Sequence, residues 1–261
     1  MKRVAIIGGG VAGLSAAQEL LARGFAVDIY ELNALPGGKA RSFDVPESAY
    51  ATSDGRSPLP AEHGFRFFPG FYRHLVDTMQ AIPFPGKHCV AENLLNVEHL
   101  NYARFGKDVA SVPVGSPRSL ADITKLFKLW LGKTGVNMPL RDLLRYSARL
   151  FRLFSSCDQR VQNQYEEIAW WEFIRANKGS EAYRRYFANG SRILVAADPR
   201  KASTKTNGMI MEQLLMDQAT GEADRILSGP TNNVWLFPWL HSLLQNPSAG
   251  FTAMPGWWIS S

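Results

Sequence analysis

The stretch VAIIGGGVAGLSAAQELLARGFAVDIYELNALPGGKAR, Val4–Arg41, decides the fold of this chain. Its first four residues form an apolar, mostly β-branched run, which is typical of a strand buried on both faces of a parallel sheet. Apolar residues then repeat at helical spacing as far as Gly24, which stands where a helix cap is expected. The pattern therefore predicts a helix over Val11–Arg23 and a second strand over Ala26–Tyr30.

Glycines occupy the first, third and sixth places of the turn between the first strand and the helix, at Gly8, Gly10 and Gly13. Such a turn is tight, lets a diphosphate approach the backbone, and allows the helix to pack closely on the strand. The helix begins with Val11 and Ala12, where unpaired amides and a partial positive charge suit a pyrophosphate. We therefore expect these five residues to bind a dinucleotide.

An acidic residue, Glu31, ends the second strand about twenty residues after the glycines, at the distance expected in a dinucleotide-binding fold. Its carboxylate is expected to accept hydrogen bonds from the two hydroxyls of an adenosine ribose. A carboxylate would repel a 2′-phosphate, so NADP is disfavoured. Each glycine taken alone could belong to an ordinary turn. The strand, the turn, the helix and the acid together favour a dinucleotide-binding fold.

A second glycine pair, Gly37 and Gly38, follows the acid after a short loop. This run resembles the second glycine pair of the flavin amine oxidase and carotenoid desaturase superfamily. The resemblance implies that the dinucleotide is FAD and that the loop closes over its diphosphate. The superfamily usually has arginine after the glycines, whereas this chain has Lys39 there and Arg41 two places on, so both are candidates for phosphate contact. The alternative is a solvated loop with two cations.

The segment Glu62–Phe68 resembles the superfamily loop that passes near the isoalloxazine ring. It sets polar groups among aromatic residues, a mixture that a redox pocket can use. Glu62 and His63 are the only catalytic candidates in the sequence, and the alternative is a buried aromatic turn with a satisfied histidine. The residues of this loop expected to contact the cofactor are Gly64, Phe65 and Arg66.

Two short runs, Leu100–Phe105 and Val109–Val114, predict a β-hairpin with a polar turn. Since a hairpin belongs to an antiparallel sheet, the chain has left the parallel domain here. Residues 118–228 then show helical periodicity. The predicted fold class is α/β, with a Rossmann-like FAD-binding domain and an inserted, mainly helical (α+β) substrate domain.

Residues 118–154 are basic and amphipathic. In Pro139–Phe154 the apolar residues share one side, and arginines repeat at spacings of four, four and three. Helices of this kind can lie on an anionic bilayer, which predicts peripheral membrane contact. The alternative is an apolar side packed on its own domain, with solvated arginines. The arginines are Arg141, Arg145, Arg149 and Arg152.

The stretches at 62–75 (EHGFRFFPGFYRHL), at 179–217 and from Gly229 (GPTNNVWLFPWL) add a narrower resemblance. They are similar to bacterial flavoproteins allied to phytoene desaturases and hydroxysqualene dehydroxylases. This resemblance implies FAD and hydride transfer between the flavin and an apolar, isoprenoid-like substrate. The alternatives are an amine oxidase and a noncatalytic nucleotide-binding fragment.

The tail from Gln245, QNPSAGFTAMPGWWISS, shows neither a buried strand nor the late glycine-acid motif of the superfamily. A doubly wound sheet needs several parallel strands, and the sequence predicts two. We therefore expect either a truncated chain or a second chain that supplies the missing flavin-binding half. The expected segments are 1–75 (Rossmann-like), 76–228 (substrate domain) and 229–261 (truncated return segment).

The net charge of +6 is spread along the chain and suits an anionic partner such as a nucleotide or lipid headgroups. No nucleic-acid motif is present. Cys89 and Cys157 are isolated and lack metal-binding spacing, so we expect no metal and a reduced, cytoplasmic protein. No apolar run is long enough to span a bilayer.

Overall fold

The computed structural model describes residues 1–48, 57–64, 66–104, 107–113, 120–132, 136–220 and 224–254. The chain divides into two compact units. The sheet unit comprises Met1–Asn96 and Asp224–Ser261, and the helical unit comprises Val97–Ala223.

The strands and helices of the described residues follow in chain order. The strands are β1 Arg3–Ile7, β2 Ala26–Glu31, β3 Ser42–Asp44, β4 Pro60–Glu62, β5 Leu94–Asn96, β6 His99–Arg104, β7 Lys107–Pro113, β8 Arg225–Leu227 and β9 Ala249–Ala253. The α-helices are α1 Val11–Ala22, α2 Arg73–Gln80, α3 Leu120–Leu131, α4 Leu140–Phe154, α5 Tyr165–Glu167, α6 Trp170–Phe173, α7 Glu181–Tyr183, α8 Gly190–Val195, α9 Thr204–Thr220 and α10 Phe237–Leu244. Short 3₁₀ segments lie at Gly38–Ala40, Val90–Asn93 and Ala176–Lys178, and π-helical segments at Arg160–Gln164, Arg184–Ala188 and Asn232–Leu236.

The sheet unit is built on a parallel sheet of strand order β1-β2-β9. β1 pairs with β2 from Arg3 opposite Ala26, and β2 pairs with β9 from Val27 opposite Ala249. Helix α1 joins β1 to β2, and α10 directly precedes β9. This is one βαβαβ half of a doubly wound sheet, so the predicted α/β, Rossmann-like class is confirmed.

The prediction that the tail holds no strand is wrong, because Ala249–Ala253 forms β9. Its sequence, AGFTA, has one large apolar residue, so its pattern gives little strand signal. The backbone ladder to β2 and the packing of Phe251 on the core stabilise it. The chain therefore returns to the parallel sheet within residues 229–261.

Strand β1 is exposed on alternate residues, so the prediction that it is buried on both faces is wrong. Ile7, its last residue, is 84% exposed. Among the described residues, β1 has a neighbouring strand on one side only, whereas β2 has two and is largely buried. The position in the sheet, which apolar composition does not reveal, causes the difference.

Residues from the beginning and from the end of the chain pack together in the core of the sheet unit. Leu14 and Ala17 of α1 are fully buried, as are Leu236 and Trp239 from the return segment. The indole Nε1 of Trp239 donates to Oε1 of Gln18 at 2.6 Å. The return segment is thus an integral part of this unit.

The sheet unit also includes residues 76–96 and 224–228. β5 pairs antiparallel with β8, and the Asn93 amide donates to the carbonyl of Val234 at 2.9 Å. These contacts join two segments that the sequence separates by more than a hundred residues.

The helical unit opens with the predicted hairpin, β6 paired antiparallel with β7. Phe105, Gly106 and Val114 lie outside the described residues. Seven described helices follow, and their core is largely aromatic, as Tyr165, Trp170 and Tyr183 are almost fully buried.

Asp142 is a buried acid of this unit. The carboxylate of Asp142 accepts from the Ser180 amide at 2.9 Å and pairs with Arg145. Burial raises the pKa of Asp142, but the bonds to Ser180 and the charge of Arg145 outweigh it and hold the pKa below its usual value.

Candidate dinucleotide-binding site

The turn after β1 leaves the first amides of α1 available to a ligand. Gly8 has φ of +107°, and its amide donates to the carbonyl of Tyr30 at 2.8 Å. The first intrahelical bond runs from Leu14 N to Gly10 O, at 2.9 Å. The amides of residues 11–13 therefore have no intrahelical acceptor, which is the arrangement that binds anions at helix N-termini.

The glycines of this turn differ in how closely neighbouring atoms approach them. A Cβ on Gly13 would lie 2.0 Å from the carbonyl oxygen of Gly8, so only glycine fits there. A Cβ on Gly10 would meet nothing closer than the Gly38 Cα, at 3.9 Å. The extra glycine, Gly9, packs against the Phe251 ring and Glu31, which a Cβ would approach to 3.1 and 3.2 Å.

The two glycine motifs of the sequence adjoin in space. Gly37 N donates to Gly9 O at 2.7 Å, and Gly10 and Gly37 form a parallel bridge. Gly37 and Gly38 both have positive φ, at +109° and +56°, which explains why both are glycine. The loop that carries Gly37 and Gly38 is thus held against the N-terminus of α1.

Glu31 is only 5% exposed, and its carboxylate is held by three hydrogen bonds. Oε2 accepts from Gly9 N at 2.7 Å, and Oε1 accepts from Asn33 N at 2.8 Å and from Asn33 Nδ2 at 2.7 Å. Burial raises the pKa of Glu31, but these bonds and the charge of Arg41 outweigh it and hold the pKa below its usual value. A carboxylate offers about four acceptor sites, so one on Oε2 remains for a ligand hydroxyl.

The two cations after the glycine pair differ in placement. The Lys39 side chain is exposed, and its carbonyl accepts from Nη2 of Arg66 at 2.7 Å. Arg41 is half-buried, and its Nη1 donates to the carbonyl of Gly38 at 3.3 Å. Arg41 is therefore the cation that the fold holds at the glycine pair.

The last residue of β4, Glu62, contacts the return segment. Oε1 of Glu62 accepts from both N and Oγ1 of Thr231 at 2.9 Å, and its Oε2 lies 3.4 Å from Nε of Arg66. The carboxylate of Glu62 is thus engaged as an anchor. His63 is exposed, with its ring 5.0 Å from the Phe43 ring between centroids.

Of the remaining loop residues, Gly64 is exposed, and a Cβ placed on it would meet nothing within 4 Å. Phe65 lies outside the described residues. The catalytic roles of Glu62 and His63, and the cofactor contacts of Gly64, Phe65 and Arg66, stay predictions.

No sequence pattern indicates the reciprocal bond between Ser42 and Asn232. Ser42 N donates to Asn232 Oδ1 at 2.7 Å, and Asn232 N donates to Ser42 Oγ at 3.0 Å. Asn232 is 3% exposed, and its Nδ2 is buried without a partner among the described residues. A separation of 190 positions leaves no local signal. Asn33, by contrast, lies two residues from Glu31, so its bonds to that carboxylate are local in sequence.

The free helix amides, the glycine turn that excludes side chains and the buried acid fit the adenosine diphosphate half of a dinucleotide. The described residues contain no cluster of three or more His, Cys, Asp or Glu that could hold a metal ion. Nor does any described helix have the length and apolarity needed to cross a membrane.

Comparison with known proteins agrees with this geometry. Residues 6–82 match the family of NAD(P)-binding Rossmann-like domains. A zeta-carotene desaturase from Capsicum annuum is 34% identical over 120 residues, which cover 44% of this chain and 18% of that protein.

Solved structures share the fold at low identity. Cyclohexylamine oxidase from Brevibacterium oxydans has a TM-score of 0.58 at 16% identity, covering 96% of this chain and 50% of that one. An oxidoreductase from Methanosarcina mazei has a TM-score of 0.57 at 12% identity, covering 97% and 51%. The chain thus spans about half the length of these structures.

The chain has a Rossmann-like α/β unit, whose glycine turn and buried acid fit a dinucleotide, and an inserted helical unit. The relatives named above are oxidoreductases, among them a carotene desaturase and an amine oxidase.

Proposed function

We propose that this chain belongs to an FAD-dependent oxidoreductase of the flavin amine oxidase and phytoene desaturase superfamily. The observation that carries the proposal is the meeting of both glycine loops at the N-terminus of α1, beside a buried, ionised Glu31. When bound, FAD supplies hydride transfer at its isoalloxazine ring. The protein binds and orients the cofactor and excludes water.

The roles that we propose for the binding residues follow from their placement. The amides of Val11, Ala12 and Gly13 would bind the diphosphate, together with Arg41 beside the second glycine pair. The free acceptor site of Glu31 would take a ribose hydroxyl. Because this carboxylate is held ionised, a 2′-phosphate would meet a buried negative charge, which disfavours NADP.

An apolar substrate is the second part of the proposal, and a pocket in the helical unit supports it. The pocket has a volume of about 210 Å³, and Tyr146 and Phe187 stack in its wall with centroids 4.1 Å apart. An apolar cavity of roughly 150 Å³ is known to take up benzene, so this pocket can hold a small hydrocarbon group. The other lining residues are Trp170, Tyr186, Gly190, Ser191, Asn207, Ile210 and Met211.

None of these lining residues is charged. A substrate ammonium buried there would lack a counter-ion, at high cost in free energy. The pocket thus favours an isoprenoid or carotenoid hydrocarbon over an amine, and with it the narrower kinship to hydroxysqualene dehydroxylase-like flavoproteins. The similarity to cyclohexylamine oxidase keeps an amine oxidase as the second candidate.

The exposed side of β1 supports a further expectation, that another polypeptide segment completes the sheet. Among the described residues of the sheet unit, Ile7 is the most exposed large apolar residue, and β1 has one neighbouring strand. An open strand edge pairs readily with another strand. A second chain carrying further flavin-binding strands stays a prediction, as does the cytoplasmic location.

The test is FAD binding by the purified chain. We expect yellow protein whose flavin absorbance survives gel filtration, either as purified or after incubation with FAD. Colourless protein that takes up no FAD would overturn the proposal. With flavin bound, anaerobic bleaching by an isoprenoid hydrocarbon but not by cyclohexylamine is expected; the reverse result would establish the amine oxidase.

A further inference from the structure

The outer face of α4 carries large apolar side chains in contact with solvent. Leu140, Leu144 and Phe151 are 60%, 62% and 75% exposed, and Phe154 is also exposed. The alternative in which the apolar side of this helix packs on its own domain is therefore wrong for these residues. Asp142 and Leu153 make the buried side instead.

These side chains form one stripe. At 3.6 residues per turn, Leu140, Leu144 and Phe151 lie within about 40° of one another around the helix axis. The buried pair, Asp142 and Leu153, falls roughly opposite them by the same geometry. The helix is thus held by one side and presents a continuous apolar stripe on the other.

A basic flank runs along one side of the stripe. Arg141 and Arg152 are exposed and lie about 100–120° from Leu140 around the axis. In the described part of the chain, neither guanidinium has an ion-pair partner, whereas Arg145 is paired with buried Asp142. The flank therefore carries uncompensated positive charge.

A further arginine, Arg149, lies about 180° from Leu140 around the axis, on the side of α4 that faces its own unit. Burial lowers the pKa of Arg149, and the charges of Arg175 and Arg152 lower it further. Mutual repulsion of this kind is relieved when an anion binds among the guanidinium groups. The Arg149 guanidinium lies over the buried Phe173 ring, 5.8 Å from its centroid, which holds it on that side of the helix and away from the stripe.

We propose that α4 docks on an anionic phospholipid bilayer, with the stripe below the headgroups and Arg141 and Arg152 at the level of the phosphates. The pairing of an exposed apolar stripe with an unpaired basic flank selects this partner, since it matches both layers of a bilayer surface. A protein partner would need acidic groups placed beside an apolar groove. The inference rests on the helical unit alone and does not require FAD, although it would bring an apolar substrate within reach.

The experiment is vesicle flotation of the full chain with phosphatidylcholine alone and with phosphatidylcholine mixed with phosphatidylserine. We expect flotation with the mixed vesicles, and less with the neutral ones. Each basic residue near the surface contributes about fivefold in binding, so Arg141→Gln with Arg152→Gln should weaken it by about 25-fold. Leu144→Gln with Phe151→Gln should weaken binding to both kinds of vesicle.

The controls are exposed residues elsewhere in the helical unit, Leu215→Gln on α9 and Arg160→Gln. Both should float like the wild type, and circular dichroism should show every variant folded. If the double apolar variant is misfolded, Leu140→Gln alone takes its place. Wild-type protein that floats with neither vesicle, or stripe variants that float like the wild type, would overturn the proposal.

Gel filtration distinguishes membrane docking from self-association through the stripe. A wild-type dimer that becomes a monomer on Leu144→Gln with Phe151→Gln, without flotation, would assign the stripe to a second copy and overturn membrane docking. Since FAD binding by these variants is expected to be unchanged, loss of FAD binding in the wild type would count against the proposed function and not against docking.

Discussion

Replacing Glu31 by glutamine tests the candidate site most directly, because the two side chains differ in charge and donor pattern but hardly in size. The carboxylate receives three donors, from Gly9 N, Asn33 N and Asn33 Nδ2. If the glutamine oxygen faces Asn33, its amide nitrogen meets the Gly9 N–H, 2.7 Å away in the wild type. At least one buried donor is then left without an acceptor.

An unsatisfied buried donor costs about 1–3 kcal/mol, so we expect the free energy of unfolding to fall by that amount. The lost charged hydrogen bond to the ribose is worth about 1.5–3 kcal/mol, which corresponds to roughly a 10-fold to 150-fold increase in the Kd for FAD.

Urea unfolding followed by circular dichroism measures the first quantity, and titration of FAD fluorescence measures the second. Asp28→Asn is the matched control, because Asp28 lies on the same strand but pairs with exposed Arg3. It should leave the Kd unchanged. A folded Glu31→Gln protein that binds FAD as tightly as the wild type would refute the assignment of Glu31 to the ribose.

Three further changes probe the fold around the site and the helical unit. Gly13→Ala places a Cβ 2.0 Å from a backbone oxygen and should cost about 1–3 kcal/mol of stability and weaken FAD binding. Gly64→Ala, with open space around it, should leave the stability unchanged, and equal thermal unfolding of the two variants would contradict this. Asn232→Ala removes the acceptor of the buried Ser42 amide and should lower the free energy of unfolding in urea by about 1–3 kcal/mol, and an unchanged midpoint would show that the bond contributes nothing. Because the folded pKa of Asp142 lies below its unfolded value of about 3.9, its stabilisation is present above that pH and is lost as the pH falls through the folded pKa. Acid unfolding should therefore be steeper for the wild type than for Asp142→Asn, and parallel curves would argue against the buried ion pair.

Much of the site could be predicted because its parts are contiguous. The turn from Gly8 to Gly13 and the acid Glu31 lie within about one βαβ unit, where short-range sterics and hydrogen bonding determine conformation. Gly13 illustrates the point, since a backbone oxygen five residues away excludes every side chain. The hairpin after His99 could be predicted for the same reason.

Other features could not be predicted because distant segments form them. β9 is a strand because β2 offers it a hydrogen-bonding edge, and its own sequence has little apolar signal. Glu62, which the sequence offers as a catalytic candidate, is held by Thr231 across 169 positions. Such contacts depend on topology, and periodicity carries no information about them.

The sequence by itself determined the βαβ segment, the placement of its glycines and acid, and the amphipathic character of α4. Only the tertiary structure decided that β1 stands at an exposed edge, that the return segment adds α10 and β9 to the sheet unit, and that the apolar stripe of α4 faces outward. The physical reason is that local patterns determine which element forms and which sides differ in polarity. Whether a side is covered depends on neighbours supplied from elsewhere in the chain.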